Sequence, residues 1–414
     1  MILAHVFYKK LYKKKTVVNY LRLFCLTKKN LVMKIIAITG TRPEAIKVAP
    51  IVKELRKRDG IQTILCNSGQ HKQMIEEIFS DFGLVPDISL DVMSPGQSLA
   101  SLSEKLFSAV DKVFDEEKPD WVIVQGDTTT VMVCALCAFY RKIKIAHVEA
   151  GLRSFDKMAP FPEEINRQIV TRVADLHFAP TRNAYANLIR EGIDPDKAFV
   201  TGNTVIDALL WVKDFLQDKP EYLNEEVRKA REEGKRIVLV TAHRRENFGQ
   251  GFEEICSAVR ELANRNEDCL FVYMLHLNPN VQIPAKKYLT HQKGILLLST
   301  QSYLHFQALL NACYLVLTDS GGIQEEAPAL DKPVLVMRDV TERPEGVKTG
   351  CARLVGARAD CIIEGVSELL DDPALYQKMA KAQNPYGHGH SSERIVDALL
   401  RASCATSETS GSIA

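Results

Sequence analysis

The 414-residue chain lacks most of the features that assign a protein to a class at a glance. Its formal net charge is only +1, which gives no reason to expect nucleic acid or a membrane surface as a partner. Beyond residue 32 there is no run of 18 apolar residues, so no stretch reads as a membrane span and the chain is expected to be soluble and cytoplasmic. No Gly-x-Gly-x-x-Gly motif occurs, which argues against a bound nicotinamide or flavin. The ten cysteines are scattered through apolar runs. Cys134 and Cys137 have CxxC spacing, but without a second pair or a nearby histidine they read as core residues of a reduced protein.

Acidic residues are missing altogether from residues 1–32, which carry eight Lys or Arg. The best apolar run there, "VVNYLRLFCL", is interrupted by Arg22 and too short for a bilayer, and no small-residue cleavage site follows. Met33 then opens "MKIIAITG", a strand start, so residues 1–32 read as a basic extension outside the fold. A membrane-surface or targeting helix is the alternative.

The remaining composition, 46% hydrophobic and 25% charged, is that of a globular protein long enough for two cores. Short β-branched runs recur with helical stretches between them, from "KIIAIT" to "ADLHFA" and again from "RIVLVTA" to "PVLVM". Strands alternating with amphipathic helices predict parallel sheets covered on both faces. The fold class is therefore α/β, with two doubly wound Rossmann-like domains facing a cleft. The expected extents are 33–205 and 206–375, with the hinge near residues 203–225 and a disordered tail over 402–414. In such sheets ligands bind outside the carboxyl ends of the strands, so the strand ends matter most.

The run "YLVLT" delivers the chain to Asp319, Ser320, Gly321 and Gly322, and "IQEEAPAL" follows as a helix start. Bare N–H groups at a helix N-terminus suit a diphosphate, and Glu326, one turn on, suits the two hydroxyls of a ribose. A tight turn with acids favouring the helix dipole explains the same residues. The first strand ends similarly, in "TGTRPEAIKVAP", where Arg42 and Lys47 oppose the helix dipole and call for an anion. Further strand ends supply Asp127, Glu149, Glu163, Arg167 and His243. Asp127 could be an N-cap, Glu149 could pair with Arg153, and His243 could be a satisfied polar group in a turn. Acids converging on a phosphate pocket instead point to acid/base chemistry beside a leaving phosphate.

These segments resemble the non-hydrolysing UDP-N-acetylglucosamine 2-epimerases over residues 33–400, through "GTRPEAIKVAP", "SGQHKQM", "QGDTTT", "HVEAGLRS", "PFPEEINR", "TGNTVIDAL", "HRRENFG", "TDSGGIQEEAP", "VMRDVTERPEG" and "NPYG". The resemblance implies a GT-B-like fold with a C-terminal helix, about 376–401, returning to the first domain, and a homodimer. It implies a UDP site of Arg42, Gln301, Phe306, Ser320, Gly321, Gly322, Glu326 and Arg343. It matches Lys47, Asp127, Glu149, Glu163, Arg167 and His243 to catalytic and sugar-side positions, and Gln70, His71 and Gln73 to a second UDP-GlcNAc acting as activator. The sequence departs from the family at Leu277, His305 and His388, where Pro, Pro and Asp are usual, and at Asp331, where Gly is.

The implied reaction is reversible inversion at C2 of UDP-GlcNAc, giving UDP-ManNAc for polysaccharide synthesis. Because C2 has no adjacent carbonyl, breaking the C1–phosphate bond first is what makes its hydrogen acidic enough for a carboxylate. The scheme passes through 2-acetamidoglucal and needs neither a redox cofactor nor a metal. The rival readings are a glycosyltransferase of the same architecture, a hydrolysing epimerase, and a UDP-sugar sensor without activity.

Overall fold

The computed structural model describes residues 32–69, 72–94 and 96–409. The expectations for residues 1–31, for Gln70 and His71, and for residues 410–414 lie outside these.

Seven strands form the first sheet: β1 (Met33–Thr39), β2 (Ile61–Asn67), β3 (Ile88–Ser89), β4 (Trp121–Gln125), β5 (Lys144–Val148), β6 (Leu176–Ala179) and β7 (Ala198–Val200). Their order is β3-β2-β1-β4-β5-β6-β7 and every pairing is parallel. The second sheet holds β8 (Arg236–Thr241), β9 (Cys269–Met274), β10 (Ile295–Leu298), β11 (Leu315–Thr318), β12 (Val334–Val336) and β13 (Ala352–Leu354), again all parallel. Its order is β10-β9-β8-β11-β12-β13. Strands such as "WVIVQ" and "LVLT" are buried along their whole length, because helices cover both faces and leave no wet side for polar residues.

The two sheets share one topological consequence. Strand order reverses between β1 and β4 in the first and between β8 and β11 in the second. A crevice opens where neighbouring connections leave in opposite directions. The residues at these two points are Gly40–Arg42 with Gly126–Asp127, and His243–Arg244 with Asp319–Gly321.

The halves are tied together at several places. After β7 the helix Thr204–Phe215 packs on the first helix, Arg42–Leu55, and so does the last helix, Ser391–Thr409. The return connection passes Tyr386, whose carbonyl accepts the Asn203 N–H at 2.7 Å and whose hydroxyl accepts the Gly346 N–H at 3.1 Å. Tyr303 and Leu304, from the second half, are buried in the core of the first beside Phe82.

Two differences from expectation have physical causes. The last helix begins at Ser391, after a separate helix Pro373–Ala380, because "NPYGHGH" interrupts helical backbone between them. It also runs through residues 402–409, which were expected to be unstructured: Ala402 packs against the first core and the helix propagates from there. Asp331 sits at φ 57°, where glycine carries no Cβ penalty and aspartate is tolerated. Of the other departures, His305 is exposed with Nδ1 2.8 Å from Ser302 Oγ and its ring 5.2 Å from that of Tyr222, while Leu277 and His388 are exposed.

Candidate active site

In the first half the site is built on the helix Arg42–Leu55 and the ends of β4 and β5. Glu44 is buried at the third position of that helix, and its carboxylate accepts the N–H of Gly40 at 2.5 Å, the N–H of Thr41 at 2.9 Å and the Thr128 hydroxyl at 2.6 Å. It thus joins the turn after β1 to the turn after β4, across the switch point. Burial pushes its carboxyl up to about 7. A Cβ on Gly40 would lie 2.6 Å from Thr130 Oγ1, so this turn has room only for glycine.

Asp127 follows Gly126 and pairs with Arg167, while its carbonyl accepts Asn166 Nδ2 at 2.9 Å. It is not the N-cap of the helix Thr129–Tyr140; Thr128 is, its Oγ1 accepting the Val131 N–H. Burial raises the Asp127 carboxyl above its ordinary value, against the opposing pull of Arg167. Arg167 is held in turn by Glu164, which also fixes the N–H groups of Ser154 and Phe155.

Glu149 follows β5 at φ 63°, a left-handed conformation that costs a non-glycine residue about 1–3 kcal/mol. It accepts Lys47 Nζ at 2.5 Å and Gln125 Nε2 at 2.6 Å. Arg153, the other candidate partner, bonds Glu191 and Thr171 instead. Burial acts to lower the Lys47 ammonium, but Glu149 and Glu325 outweigh it and hold the ammonium above its usual value. Glu163 heads the helix Glu163–Val173, half-buried, and has no hydrogen-bond or ion-pair partner among the described residues.

In the second half, β11 feeds the short helix Gly321–Glu326 through Ser320. A Cβ on Gly321 would sit 3.6 Å from both Arg244 Nη2 and Arg343 Cζ, so two guanidinium groups flank the bare glycine backbone. Arg343 Nε donates to Glu325 at 2.6 Å, and Glu325 also accepts Asn203 Nδ2 from the first half at 2.6 Å. Glu326 accepts Gln307 Nε2 at 2.6 Å, and burial pushes its carboxyl up to about 7 against the opposing charges of Lys47 and Arg42. Phe306 packs at the rim of the second core, and Gln301 Nε2 donates to the Ser299 carbonyl. His243 lies 3.4 Å from Asp319 and its ring stacks 5.4 Å from that of His276. Gln73 is exposed on the helix Lys72–Asp81.

One cleft therefore connects Asp127, Glu149, Lys47, Arg343, the glycine corner, Arg244 and His243 by contact or electrostatic reach. Sequence reasoning left Glu44, Asn166, Arg244, Glu325 and Asp319 without a role. All five stand inside the quoted motifs, which was the one signal available.

Two Rossmann-like halves, each with a strand-order reversal and with Lys47 of the first in electrostatic reach of Glu325 and Arg343 of the second, make a GT-B-like protein. Residues 53–400 match the family model described as UDP-N-acetylglucosamine 2-epimerase. The chain belongs to that family, which is one of isomerases. It is 47% identical over 369 residues to the UDP-N-acetylglucosamine 2-epimerase of Escherichia coli K12, covering 89% of this chain and 98% of that protein. Among solved structures it resembles the Neisseria meningitidis UDP-GlcNAc 2-epimerase bound to UDP-GlcNAc, at 43% identity and a TM-score of 0.81 over 89% of this chain and all of that one. It also resembles the Methanocaldococcus jannaschii UDP-GlcNAc 2-epimerase in complex with UDP-GlcNAc and UDP, at 37% identity and a TM-score of 0.71 over the same shares. No helix among the described residues is long and apolar enough to cross a membrane.

Proposed function

We propose that this protein interconverts UDP-GlcNAc and UDP-ManNAc without hydrolysing either. The observation that carries the reading is the convergence of Asp127, whose carboxyl burial raises, and Glu149 on a site that also holds Lys47 and Arg343, with Arg343 and Arg244 flanking the bare backbone of Gly321. The C1–oxygen bond breaks and its electron pair leaves on the diphosphate. The glycine N–H groups and the guanidinium groups stabilise that charge, where each donor is worth on the order of 10²–10³ in rate. A carboxylate then takes the C2 proton, leaving 2-acetamidoglucal and UDP. Return of a proton to the opposite face, with re-addition of UDP, gives the epimer.

Asp127, Glu149 and Glu163 are the acids proposed for the two faces of the ring, with Lys47 neutralising Glu149 and Arg167 orienting Asp127. Arg42 and Ser320 complete the nucleotide grip, Glu326 takes the ribose hydroxyls, and Phe306 and Gln301 border the uracil. A second UDP-GlcNAc at Gln70, His71 and Gln73 would act as activator, and the protein would work as a cytoplasmic homodimer supplying polysaccharide synthesis.

The test is incubation with UDP-GlcNAc and no acceptor, followed by NMR of the anomeric protons. UDP-ManNAc should accumulate to equilibrium. Free ManNAc with UDP would indicate the hydrolysing reaction, and unchanged substrate that turns over only on adding an acceptor would indicate a glycosyltransferase.

A further inference from the structure

The switch point of the second sheet contains a carboxylate to which the scheme above gives no task. Asp319 follows β11, beside β8, and its side chain is 0% exposed. Its oxygens accept the backbone N–H of His243 at 2.9 and 3.1 Å, the backbone N–H of Arg244 at 2.8 Å and Asn247 Nδ2 at 3.2 Å. The same carboxylate lies 3.4 Å from His243 Nδ1, on a side chain that is 35% exposed. A buried carboxylate is costly unless donors surround it, and here every donor comes from the one turn that carries His243 and Arg244.

We propose that Asp319 is a positioning residue that locks this turn and holds His243 as the Nδ1–H tautomer, leaving Nε2 to take a proton from solvent and donate it as a hydrogen bond to the ligand's diphosphate. The ligand's identity rests on the epimerase reading given above; the tautomer does not. Which nitrogen of a histidine carries the proton is set by the bond its other nitrogen makes. With Nδ1 3.4 Å from an oxygen of the buried Asp319 carboxylate, the negative charge favours a proton on that nitrogen, and Nε2 is the nitrogen left for the cleft. The same carboxylate fixes the backbone of Arg244, whose guanidinium flanks Gly321 and whose Nε is buried without a partner.

The charges facing the imidazole are Asp319 from the end of β11, His276 from the connection after β9, and Arg244 next in the chain. Burial holds the imidazole below its ordinary pKa, Asp319 opposes that, and His276 and Arg244 reinforce it. Free His243 is accordingly neutral near pH 7, and an arriving diphosphate favours its protonation.

Nitrogen-15 NMR of His243 in the wild-type protein at pH 8 tests the tautomer directly. A protonated Nδ1 with a free Nε2 is expected; a protonated Nε2 overturns the proposal, whether or not any variant folds. Saturating UDP should move the His243 titration to higher pH. In Asp319→Asn the free-enzyme titration should fall below that of the wild type, and kcat for UDP-GlcNAc should drop on the order of 10²-fold, with a smaller change in KM. An unchanged titration and unchanged kcat in that variant would also overturn it. If the wild-type enzyme has the expected tautomer but leaves UDP-GlcNAc untouched, the epimerase reading fails and the placement of His243 by Asp319 stands.

Discussion

Asp127 concentrates the residue-scale chemistry. Its carboxyl is raised by burial, steered by Arg167, and anchored through its own carbonyl by Asn166. A group held this way is poised to exchange a proton rather than to carry fixed charge. Asp127→Asn keeps the shape and the anchor, so the variant should fold and bind UDP as before while turnover falls on the order of 10²–10⁴-fold. Steady-state kinetics with UDP titration checks this, and near-normal turnover would remove Asp127 from the mechanism. Glu149 makes the complementary case, since its left-handed backbone is strain kept in place by Lys47 and the buried Gln125.

Among elements, the connections after β1 and β8 carry the site, and each is braced by a buried carboxylate. Glu44 braces Gly40 and Thr41 in the first half, and Asp319 braces His243 and Arg244 in the second. Thr128 joins two elements at once, capping the helix Thr129–Tyr140 and donating to Glu44. Thr128→Ala should cost about 1–2 kcal/mol by urea unfolding for the cap alone. The loss should also grow with pH. Glu44 is raised to about 7 from 4.5, so the folded state holds its proton more tightly than the unfolded state, and stability declines as pH rises through 7. Thr128 favours the charged form, so removing its hydrogen bond raises that carboxyl further and adds a penalty at pH 8 that is absent at pH 5. Equal losses at the two pH values would contradict this account of Glu44.

The strands with long β-branched runs were legible from the sequence, because burial on both faces leaves continuous apolar stretches such as "RIVLVT" and "WVIVQ". Ile88–Ser89, Ala198–Val200 and Ala352–Leu354 were not, being only two or three residues long at or near the sheet edges. The motif residues were legible as a set. Their pairing was not, because an acid near a helix start looks the same in sequence whether it faces solvent or braces a turn. Glu44 and Asp319 acquire their roles only when the strand order brings β4 beside β1 and β11 beside β8.

At the scale of the whole molecule, the two halves are tied to each other at several separate places. The chain crosses between them twice, the crossings meet where the Tyr386 carbonyl takes the Asn203 N–H, and Tyr303 and Leu304 are buried in the opposite core. Glu345 adds a further tie across the gap, accepting Thr181 Oγ1 at 3.0 Å and Asn183 Nδ2 at 2.8 Å. Scanning calorimetry should therefore give a single transition, moved upward as a unit by UDP at concentrations well above its Kd. Two separate transitions, only one of them sensitive to UDP, would show halves that unfold independently.

The central claim is that UDP leaves and returns while an acid in the cleft exchanges the hydrogen on C2. Proton NMR of UDP-GlcNAc with the enzyme in deuterium oxide, with no nicotinamide or metal added, tests it most directly. The account predicts deuterium at C2 of both UDP-GlcNAc and UDP-ManNAc as equilibrium is approached; epimer formed with its C2 protium retained would contradict it.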